Sequence, residues 1–293
     1  MNRRILWNRV LGWIVLGALI VITLFPFYWM LRTALSSNGA LPSHSTSLLP
    51  AGFTFDGFAR ALGLVSREEA QAQGGSGAVT NLWRALGNSV IVATLTTVVQ
   101  TLSCALAAYS LSRLRWRGRT IVFGLLMSGM MIPGIVTLIP NFVLIKDLGL
   151  LNSVLGIALP GLLVSAFAIF FLRQFFMGVS TEIEDAARLD GAGPFRIFWS
   201  VMLPIIAPAL FTLALITYIQ EWNDYLWPLL IASDEQSRTL TVAIGVFKSQ
   251  SPATGADWPA LMAATLIAAL PMLLLLIAFG KRIVNSIGFT GSR

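Results

Sequence analysis

Residues Ser180–Pro204, which read STEIEDAARLDGAGPFRIFWSVMLP, form the longest polar interruption in the C-terminal half of a strongly apolar chain. Thr181 and Glu184 have the spacing of a capping box, which predicts a helix that starts here. Asp190-Gly191 is typical of a helix end, because glycine tolerates the left-handed conformation. Pro194 suits the first turn of a second helix, where its missing N–H is not needed. The stretch therefore predicts two helices joined by a sharp turn, lying across a membrane face between two spanning helices.

The composition outside this stretch is that of a membrane protein. Of the 293 residues, 56% are hydrophobic and 11% are charged, whereas soluble domains are about a quarter charged. A net charge of +7 could suggest nucleic acid, but basic residues between apolar helices are better explained as signals of membrane orientation. We therefore expect membrane lipid around the chain and no nucleic-acid partner.

Residue types that carry enzyme chemistry are scarce. Cys104 is the only cysteine, so no intramolecular disulfide can form, and His44 is the only histidine, so no histidine-based metal cluster can be built. No GxSxG or HExxH motif supports a membrane enzyme. A GxxxxGK[ST] phosphate-binding loop is also absent from the sequence, so any ATP and Mg²⁺ would be used by a partner subunit. We expect no metal and no cofactor on this chain, and no enzymatic activity of its own.

Six apolar stretches are long enough to span a bilayer. They are Val10–Leu31, Leu86–Leu111, Ile121–Ile145, Ser153–Phe176, Ile205–Leu230 and Leu261–Phe279. Pro133 and Pro140 interrupt the third stretch, which is tolerated where the freed carbonyl groups face protein or a wet cavity, and Pro160 lies inside the fourth. The first stretch follows a basic start and could be a signal peptide, but signal cores are only about 7–15 residues long. We therefore expect a retained first span within residues 1–31.

The distribution of Lys and Arg sets the expected orientation. With six spans and the N-terminus inside, thirteen of the twenty basic residues lie on the inside and seven on the outside. This excess favours an N-inside, C-inside arrangement, with Ser180–Pro204 in the cytoplasm. Residues 33–84, rich in Gly, Ser and Pro, become an extracytoplasmic segment. The predicted fold is thus an all-α integral membrane protein, one domain of residues 1–293 with a core of about 85–283.

The spacing in Ser180–Pro204 resembles the EAA loop of ABC importer permeases. That pattern is Glu-Ala-Ala, three residues, Gly, nine residues and Ile-x-Leu-Pro, and this chain has Asp185-Ala186-Ala187, Gly191 and Val201-Met202-Leu203-Pro204. In the family this loop is a coupling helix that docks in a groove on the ATPase. The resemblance implies an ATPase-coupling site made of Glu184, Asp185, Ala186, Ala187, Asp190 and Gly191. Whether Glu184 or Asp185 meets the ATPase is left open by the sequence.

Similarity to carbohydrate-uptake permeases of the maltose type extends from end to end, and the layout is most like their shorter second permease. Residues 221–228, EWNDYLWP, resemble the family signature Trp-Asn-Glu-Phe-Leu-Trp-Pro, with Asp224 where Glu is usual. The resemblance implies a multi-pass subunit of the prokaryotic cytoplasmic (inner) membrane that forms half of a sugar pathway. Its implied partners are a second permease in a heterodimer, two copies of an ABC ATPase and an extracytoplasmic solute-binding protein. Glycerol phosphoesters are an alternative solute class.

Two further sets of residues are candidates for contact with the solute and with the binding protein. Glu221, Asn223, Asp224 and Tyr225 form a polar cluster near the outer end of the fifth span, where ionisable groups are functional candidates. The alternative for this cluster is an interfacial aromatic belt with contacts between permeases. Ser251, Thr254, Asp257 and Trp258 lie in the loop before the sixth span. In the family that loop reaches the binding protein, and its alternative is a plain connection.

A self-sufficient channel or secondary transporter is the competing class. The sequence shows no inverted internal repeat of the kind that builds many secondary transporters. The resemblance to a coupling loop also argues against this class, because a channel or secondary transporter does not need a binding site for an ATPase.

Overall fold

The computed structural model describes residues 3–75, 81–249 and 257–288, and the side chains of 9–75, 81–245 and 257–280. Its elements in these ranges are helical, apart from an isolated bridge between Ser36 and Phe53. The α-helices are α1 (Arg3–Ala34), α2 (Asp56–Ala61), α3 (Arg67–Ala72), α4 (Leu82–Arg113), α5 (Arg119–Gly129), α6 (Gly134–Asp147), α7 (Val154–Leu162), α8 (Ala166–Gly178), α9 (Thr181–Leu189), α10 (Pro194–Ile197), α11 (Leu203–Ile205), α12 (Ala207–Asn223), α13 (Leu226–Ile231), α14 (Leu240–Ser249) and α15 (Trp258–Gly288). The all-α prediction is confirmed. A 3₁₀ turn occupies Pro42–His44, and a π-helical turn joins α10 to α11 over Phe198–Met202.

Three of the described helices are long and apolar enough to cross a membrane unbroken: Arg9–Ala34, Leu82–Arg113 and Trp258–Gly280. Three bent pairs pass the same test: α5 with α6 at 100°, α7 with α8 at 46°, and Pro194–Ile205 with α12 at 78°. If each bent pair crosses as one span, the described helices give the six spans that the sequence predicts. The count of six and the N-inside, C-inside orientation remain predictions.

The break in the fourth apolar stretch does not fall at its proline. Pro160 lies inside α7, and the helix instead breaks between Leu162 and Ala166. Side chains of α4 explain this position, because Ser103 Oγ donates to Leu163 O at 2.5 Å and Cys104 Sγ accepts from Ser165 N at 3.3 Å. Backbone groups freed inside a membrane need such partners. In the third stretch the break does lie at a proline, since Pro133 caps α6, while Pro140 is within α6.

The region after Asp224 is more ordered than the sequence predicts. The fifth apolar stretch, expected to be continuous from Ile205 to Leu230, is divided because α12 ends at Asn223 and α13 begins at Leu226. The following segment, for which the sequence predicts no element, contains α14. Long-range hydrogen bonds hold it: Ser89 Oγ of α4 accepts from Leu240 N at 2.8 Å, and Thr241 Oγ1 donates to Asp224 O at 2.6 Å.

The chain forms two compact units. One contains Met1–Trp83 and Ala243–Pro271, and the other contains Arg84–Val242 and Met272–Arg293. The core of the second unit includes an aromatic cluster in which the Tyr109 ring lies 5.6 Å from Phe176 and 5.3 Å from Phe198, centroid to centroid. This cluster packs the end of α8 and the π-helical turn against α4. It therefore fixes α8, which precedes α9, and the π-helical turn that follows α10.

Replacing Gly156 with alanine is expected to destabilise the second unit. A Cβ at this position of α7 would lie 2.1 Å from Leu150 O and 3.2 Å from Ile145 Cγ2, so the backbone would have to move. Overpacking of this kind typically costs about 1–3 kcal/mol. The measurement is the thermal unfolding midpoint of the purified permease in detergent. Gly124→Ala in α5 is the control, since a Cβ there meets no atom within 4 Å, and equal midpoints for the two variants would contradict the packing argument.

Candidate functional site

Helix α9 is the centre of the predicted coupling site, and its start differs from the prediction. The helix begins at Thr181 with Ser180 as the N-cap, and Ser180 Oγ accepts from Glu182 N at 3.3 Å. The expected capping box between Thr181 and Glu184 is wrong, because Thr181 is already the first helical residue. Glu184 is thereby free to reach a different partner.

The end of α9 is as the sequence predicts. Gly191 has a φ of +80°, and its N–H donates to Arg188 O at 3.0 Å, while Ala192 N donates to Ala187 O at 3.0 Å. These two bonds are those of a Schellman motif, which satisfies the last carbonyl groups of the helix. Pro194 is the first residue of α10, also as predicted. The turn between α9 and α10 is therefore fixed by backbone geometry.

Glu184 is buried inside the protein. Its side chain is 3% exposed, and it lies between two arginines: Arg113 Nε is 3.1 Å from Oε1, and Arg188 Nη2 is 3.2 Å from Oε2. Oε1 accepts no hydrogen bond with good geometry in the described residues, so its pairing with Arg113 is one of charge. Glu184 and Arg188 thus form an i,i+4 pair on α9. A carboxylate this buried depends on its cations, because an unpaired buried charge is costly.

Arg113 connects α9 to two spanning helices, and the sequence reasoning missed it. Its guanidinium stands at the end of α4, donates through Nε to Phe176 O at 3.0 Å, and donates through Nη2 to Phe176 O and Val179 O. One side chain therefore joins α4, the end of α8 and Glu184. In the sequence Arg113 is one of four arginines within seven residues, all of which serve equally as orientation signals. Its position directly after an apolar span was the sole local hint of a distinct role.

The outer face of α9 and its turn is acidic and apolar. The side chain of Asp185 is 62% exposed and accepts from Arg188 Nη1 at 2.8 Å. Exposed apolar side chains flank it: Ile183 (42%), Leu189 (90%) and Phe195 (70%). Ile183, Ala186 and Ala187 recur at helical spacing but do not form one exposed face, because Ala187 packs against the core while the other two are exposed. Exposed apolar groups in such a cluster mark interaction surfaces.

The residues of the expected solute cluster point in different directions. Asn223 and Tyr225 are exposed, and Asn223 Nδ2 donates back to Ile219 O at 2.7 Å. Asp224 is half-buried and interacts with the backbone N–H groups at the start of α13. Glu221 turns inward toward Gly161, where a Cβ would lie 3.4 Å from Oε1. Of the four residues, Glu221 is thus the one whose carboxylate lies beside α7.

Glu221 belongs to a polar group that joins three helices. Gln100 of α4 donates through Nε2 to Gly161 O of α7 at 2.5 Å and accepts from Thr217 Oγ1 of α12 at 3.3 Å. Thr217 and Glu221 are one helical turn apart on α12, so they share a face. Gln100 and Thr217 were not candidates in the sequence, because single Gln and Thr residues in apolar stretches carry no spacing pattern.

The four residues expected to contact a binding protein differ in whether the structure describes them and in how exposed they are. Ser251 and Thr254 lie outside the described residues. Asp257 is 3% exposed and forms a bidentate pair with Arg60, at 2.8 Å from Nε to Oδ2 and 3.0 Å from Nη2 to Oδ1. Its Oδ1 also accepts from Ala260 N at 3.2 Å, at the start of α15. Trp258, the first residue of α15, is 44% exposed.

Comparison with known proteins assigns the chain to a family. Residues 100–288 match the family described as the binding-protein-dependent transport system inner membrane component. The chain belongs to this family. The matched range contains α9, Arg113 with the residues that it contacts, and most of the second unit. The predicted coupling site therefore lies within the part that defines the family.

Relatives of this permease cover most of its length. It is 30% identical over 276 residues to the probable ABC transporter permease protein YurM of Bacillus subtilis, covering 94% of this chain and 85% of the relative. It is 30% identical over 268 residues to the diacetylchitobiose uptake system permease protein NgcG of Streptomyces coelicolor, covering 91% and 83%. It is 36% identical over 200 residues to the sn-glycerol-3-phosphate transport system permease protein UgpE of Yersinia pestis, covering 68% and 70%.

The fold has a counterpart among solved structures. A chain in the crystal structure of a bacterial ABC transporter involved in the import of the acidic polysaccharide alginate matches with a TM-score of 0.78, 24% identity, and coverage of 96% and 98%. At this identity the match establishes the fold. The protein is thus an ABC importer permease and an inner-membrane component.

Proposed function

We propose that this permease is one half of a heterodimeric pathway for a sugar and that α9 is the element through which a separate ATPase drives it. The observation that carries the proposal is the division of α9 into two faces. One face is fixed to the body of the protein by Glu184 and Ala187, while the other presents Asp185 and exposed apolar groups. A helix anchored on one side and open on the other can transmit force from a docked partner.

Asp185 is the carboxylate that we propose to meet the ATPase. Glu184 is already held between Arg113 and Arg188 and has 3% of its side chain exposed, whereas Asp185 has 62%. An arginine of the ATPase could bind Asp185 with a charge-assisted hydrogen bond. This resolves, as a proposal, the alternative between the two residues that the sequence left open.

We infer that ATP is hydrolysed by partner subunits. Because the chain carries no phosphate-binding loop motif, we propose two ABC ATPase subunits that supply ATP and Mg²⁺ chemistry, together with a second permease and an extracytoplasmic binding protein. In this arrangement six spans place both termini and α9 in the cytoplasm. We propose that the start of α15 then lies on the side of the binding protein, and that Asp257 acts by fixing this start to Arg60 rather than by direct contact.

The charge of the spanning helices favours a neutral sugar as the solute. The sequence has no Lys or Arg in 85–112, 147–172 or 197–237, the stretches that supply Gln100, Gly161, Thr217 and Glu221. Amide, hydroxyl and carboxylate groups are suited to sugar hydroxyls, whereas a phosphate dianion would need a cation. The diacetylchitobiose relative supports this class. A glycerol phosphoester is the second candidate, favoured by the 36% identity to the glycerol-3-phosphate permease.

Asp185→Ala is expected to abolish most of the stimulation of ATPase activity by solute-loaded binding protein, while the complex still assembles. The loss should be on the order of tenfold, because one charge-assisted contact is worth about 1.5–3 kcal/mol. The measurement is ATP hydrolysis by the complex in nanodiscs, with and without loaded binding protein. Glu182→Ala, which removes an exposed carboxylate from the first turn of the same helix, is the control. Equal stimulation in Asp185→Ala and the control would refute the role of Asp185.

The solute class has its own test. Proteoliposomes that contain the complex, ATP and the cognate binding protein should take up a neutral oligosaccharide and should not take up sn-glycerol-3-phosphate. Uptake of the phosphoester alone would replace the sugar proposal by the second candidate and leave the coupling role of α9 intact.

A further inference from the structure

A buried arginine without a carboxylate partner stands at the end of α1. Arg32 is 2% exposed. Its Nε donates to Leu49 O at 3.2 Å, its Nη2 donates to His44 O at 2.6 Å, and its guanidinium lies 5.2 Å from the ring centroid of Trp29. Within the described residues Nη1 donates no hydrogen bond. The guanidinium is therefore held in place by carbonyl groups and an aromatic face.

The contrast with the other buried arginines is informative. Arg60 pairs with Asp257, and Arg113 pairs with Glu184. Arg32 forms no ion pair with any of the Asp and Glu side chains that the structure describes. Burying a charge is costly unless it is paired. An anion from outside the chain would supply the missing partner of the Arg32 guanidinium.

Space for that anion lies directly beside Arg32. An open pocket of about 450 Å³ is lined by Trp29, Arg32, Thr33, Leu41, Pro42, Ser45, Trp258 and Met262. This volume is within the range of about 300–1,000 Å³ that is usual for small-molecule sites. The pocket combines one cation, two hydroxyl groups and two indole rings. The lining of the pocket is thus mostly apolar, and its one charged group is the Arg32 guanidinium.

The surroundings of the pocket indicate where in the membrane it lies. The large apolar side chains of α1 are exposed from Val10 to Tyr28, as expected for a helix surface that faces lipid or a membrane partner. From Arg32 onward the side chains become buried and polar, with Thr33 and Ser36 nearly inaccessible. Trp29 and Trp258 stand at this transition, and tryptophan is enriched where a membrane meets water. The pocket is therefore placed at the depth of lipid headgroups.

We propose that this pocket binds the phosphate of an anionic phospholipid headgroup, such as phosphatidylglycerol, through Arg32. The free Nη1 and the Ser45 hydroxyl would face the phosphate oxygens, and the two tryptophans would border the glycerol and the start of the acyl chains. Arginine forms strong charge-assisted hydrogen bonds with phosphate oxygens. A bound lipid would neutralise Arg32 and thereby stabilise the contacts of Arg32 with His44 and Leu49.

The test measures lipid binding by native mass spectrometry on the delipidated assembled complex, titrated with phosphatidylglycerol or phosphatidylcholine. The native complex should retain phosphatidylglycerol in preference, and Arg32→Gln should weaken this binding on the order of tenfold, as expected for one charge-assisted contact. Arg67→Gln, which removes an exposed positive charge from α3 of the same unit, should bind as the native complex does. Equal binding by Arg32→Gln, or equal binding of the two lipids, would overturn the proposal.

A second variant keeps the test decisive if Arg32→Gln does not assemble. Ser45→Asp places a carboxylate in the pocket while leaving the hydrogen bonds of Arg32 in place, so it should expel the lipid. Ser43→Asp adds the same charge at an exposed residue outside the pocket lining and should have no such effect. Lipid retention in Ser45→Asp would refute the site. Displacement of the lipid by millimolar inorganic phosphate would overturn the lipid assignment in favour of a free anion.

Discussion

Replacing Arg113 with alanine will disconnect α9 from the spanning helices. The change leaves Glu184 buried with only the half-exposed Arg188 as a partner, and it removes the donors to Phe176 O and Val179 O. Removing one partner of a buried ion pair typically costs about 3–5 kcal/mol. We expect a lower unfolding midpoint for the complex and a loss of transport in proteoliposomes of more than about tenfold, since about 1.4 kcal/mol corresponds to a factor of ten.

Two companion variants separate this role from a general loss of positive charge. Arg115→Ala removes an exposed arginine two residues away and should have little effect. Arg113→Ala combined with Glu184→Gln should recover part of the stability, because the buried charge is removed together with its partner. If Arg113→Ala behaves like Arg115→Ala, or if the double variant is additive, the ion pair does not position α9.

Replacing Leu189 with lysine will prevent the ATPase from docking while leaving the permease folded. Leu189, the last residue of α9, is 90% exposed, which makes it the most exposed of the large apolar side chains of this helix. A lysine at the C-terminus of a helix is favourable to the helix dipole, so the fold should not suffer. In a groove that takes an apolar side chain, the charge would be desolvated, and hot-spot losses of about 2 kcal/mol or more are typical.

The measurement is the amount of ATPase that copurifies with the tagged permease, together with the unfolding midpoint of the permease alone. We expect a drop in copurified ATPase of more than about tenfold with an unchanged midpoint. Leu64→Lys is the matched control, because Leu64 is 71% exposed but lies in the segment expected outside the membrane. A normal yield of ATPase with Leu189→Lys would mean that the tip of α9 is not the docking surface.

Local signals in the sequence were enough to predict the helical class and the turn after α9. Gly191 and Pro194 act through their own backbone preferences, so the helix end and the next helix start lie where predicted. The spacing of Asp185-Ala186-Ala187 from Gly191 and Pro204 identified the family for the same reason, since a motif within one stretch is fully contained in the sequence.

Local signals failed where a distant side chain decides the outcome. Pro160 is the proline inside the fourth span, but the break lies near Leu163 and Ser165, where Ser103 and Cys104 of α4 satisfy the backbone. The division of the fifth stretch and the presence of α14 likewise depend on contacts made far along the chain.

By itself, the sequence determined that this protein is an all-helical membrane permease and predicted the turn after α9, because composition, spacing and helix end signals act within one stretch of chain. Only the tertiary structure decided which of the two adjacent carboxylates, Glu184 or Asp185, is exposed to a partner protein. Glu184 is 3% exposed and Asp185 is 62% exposed, and the difference arises because α9 packs beside Arg113, an arginine about seventy residues earlier in the chain. Burial and ion pairing depend on which distant side chains meet, and that information is not present in the spacing of neighbouring residues.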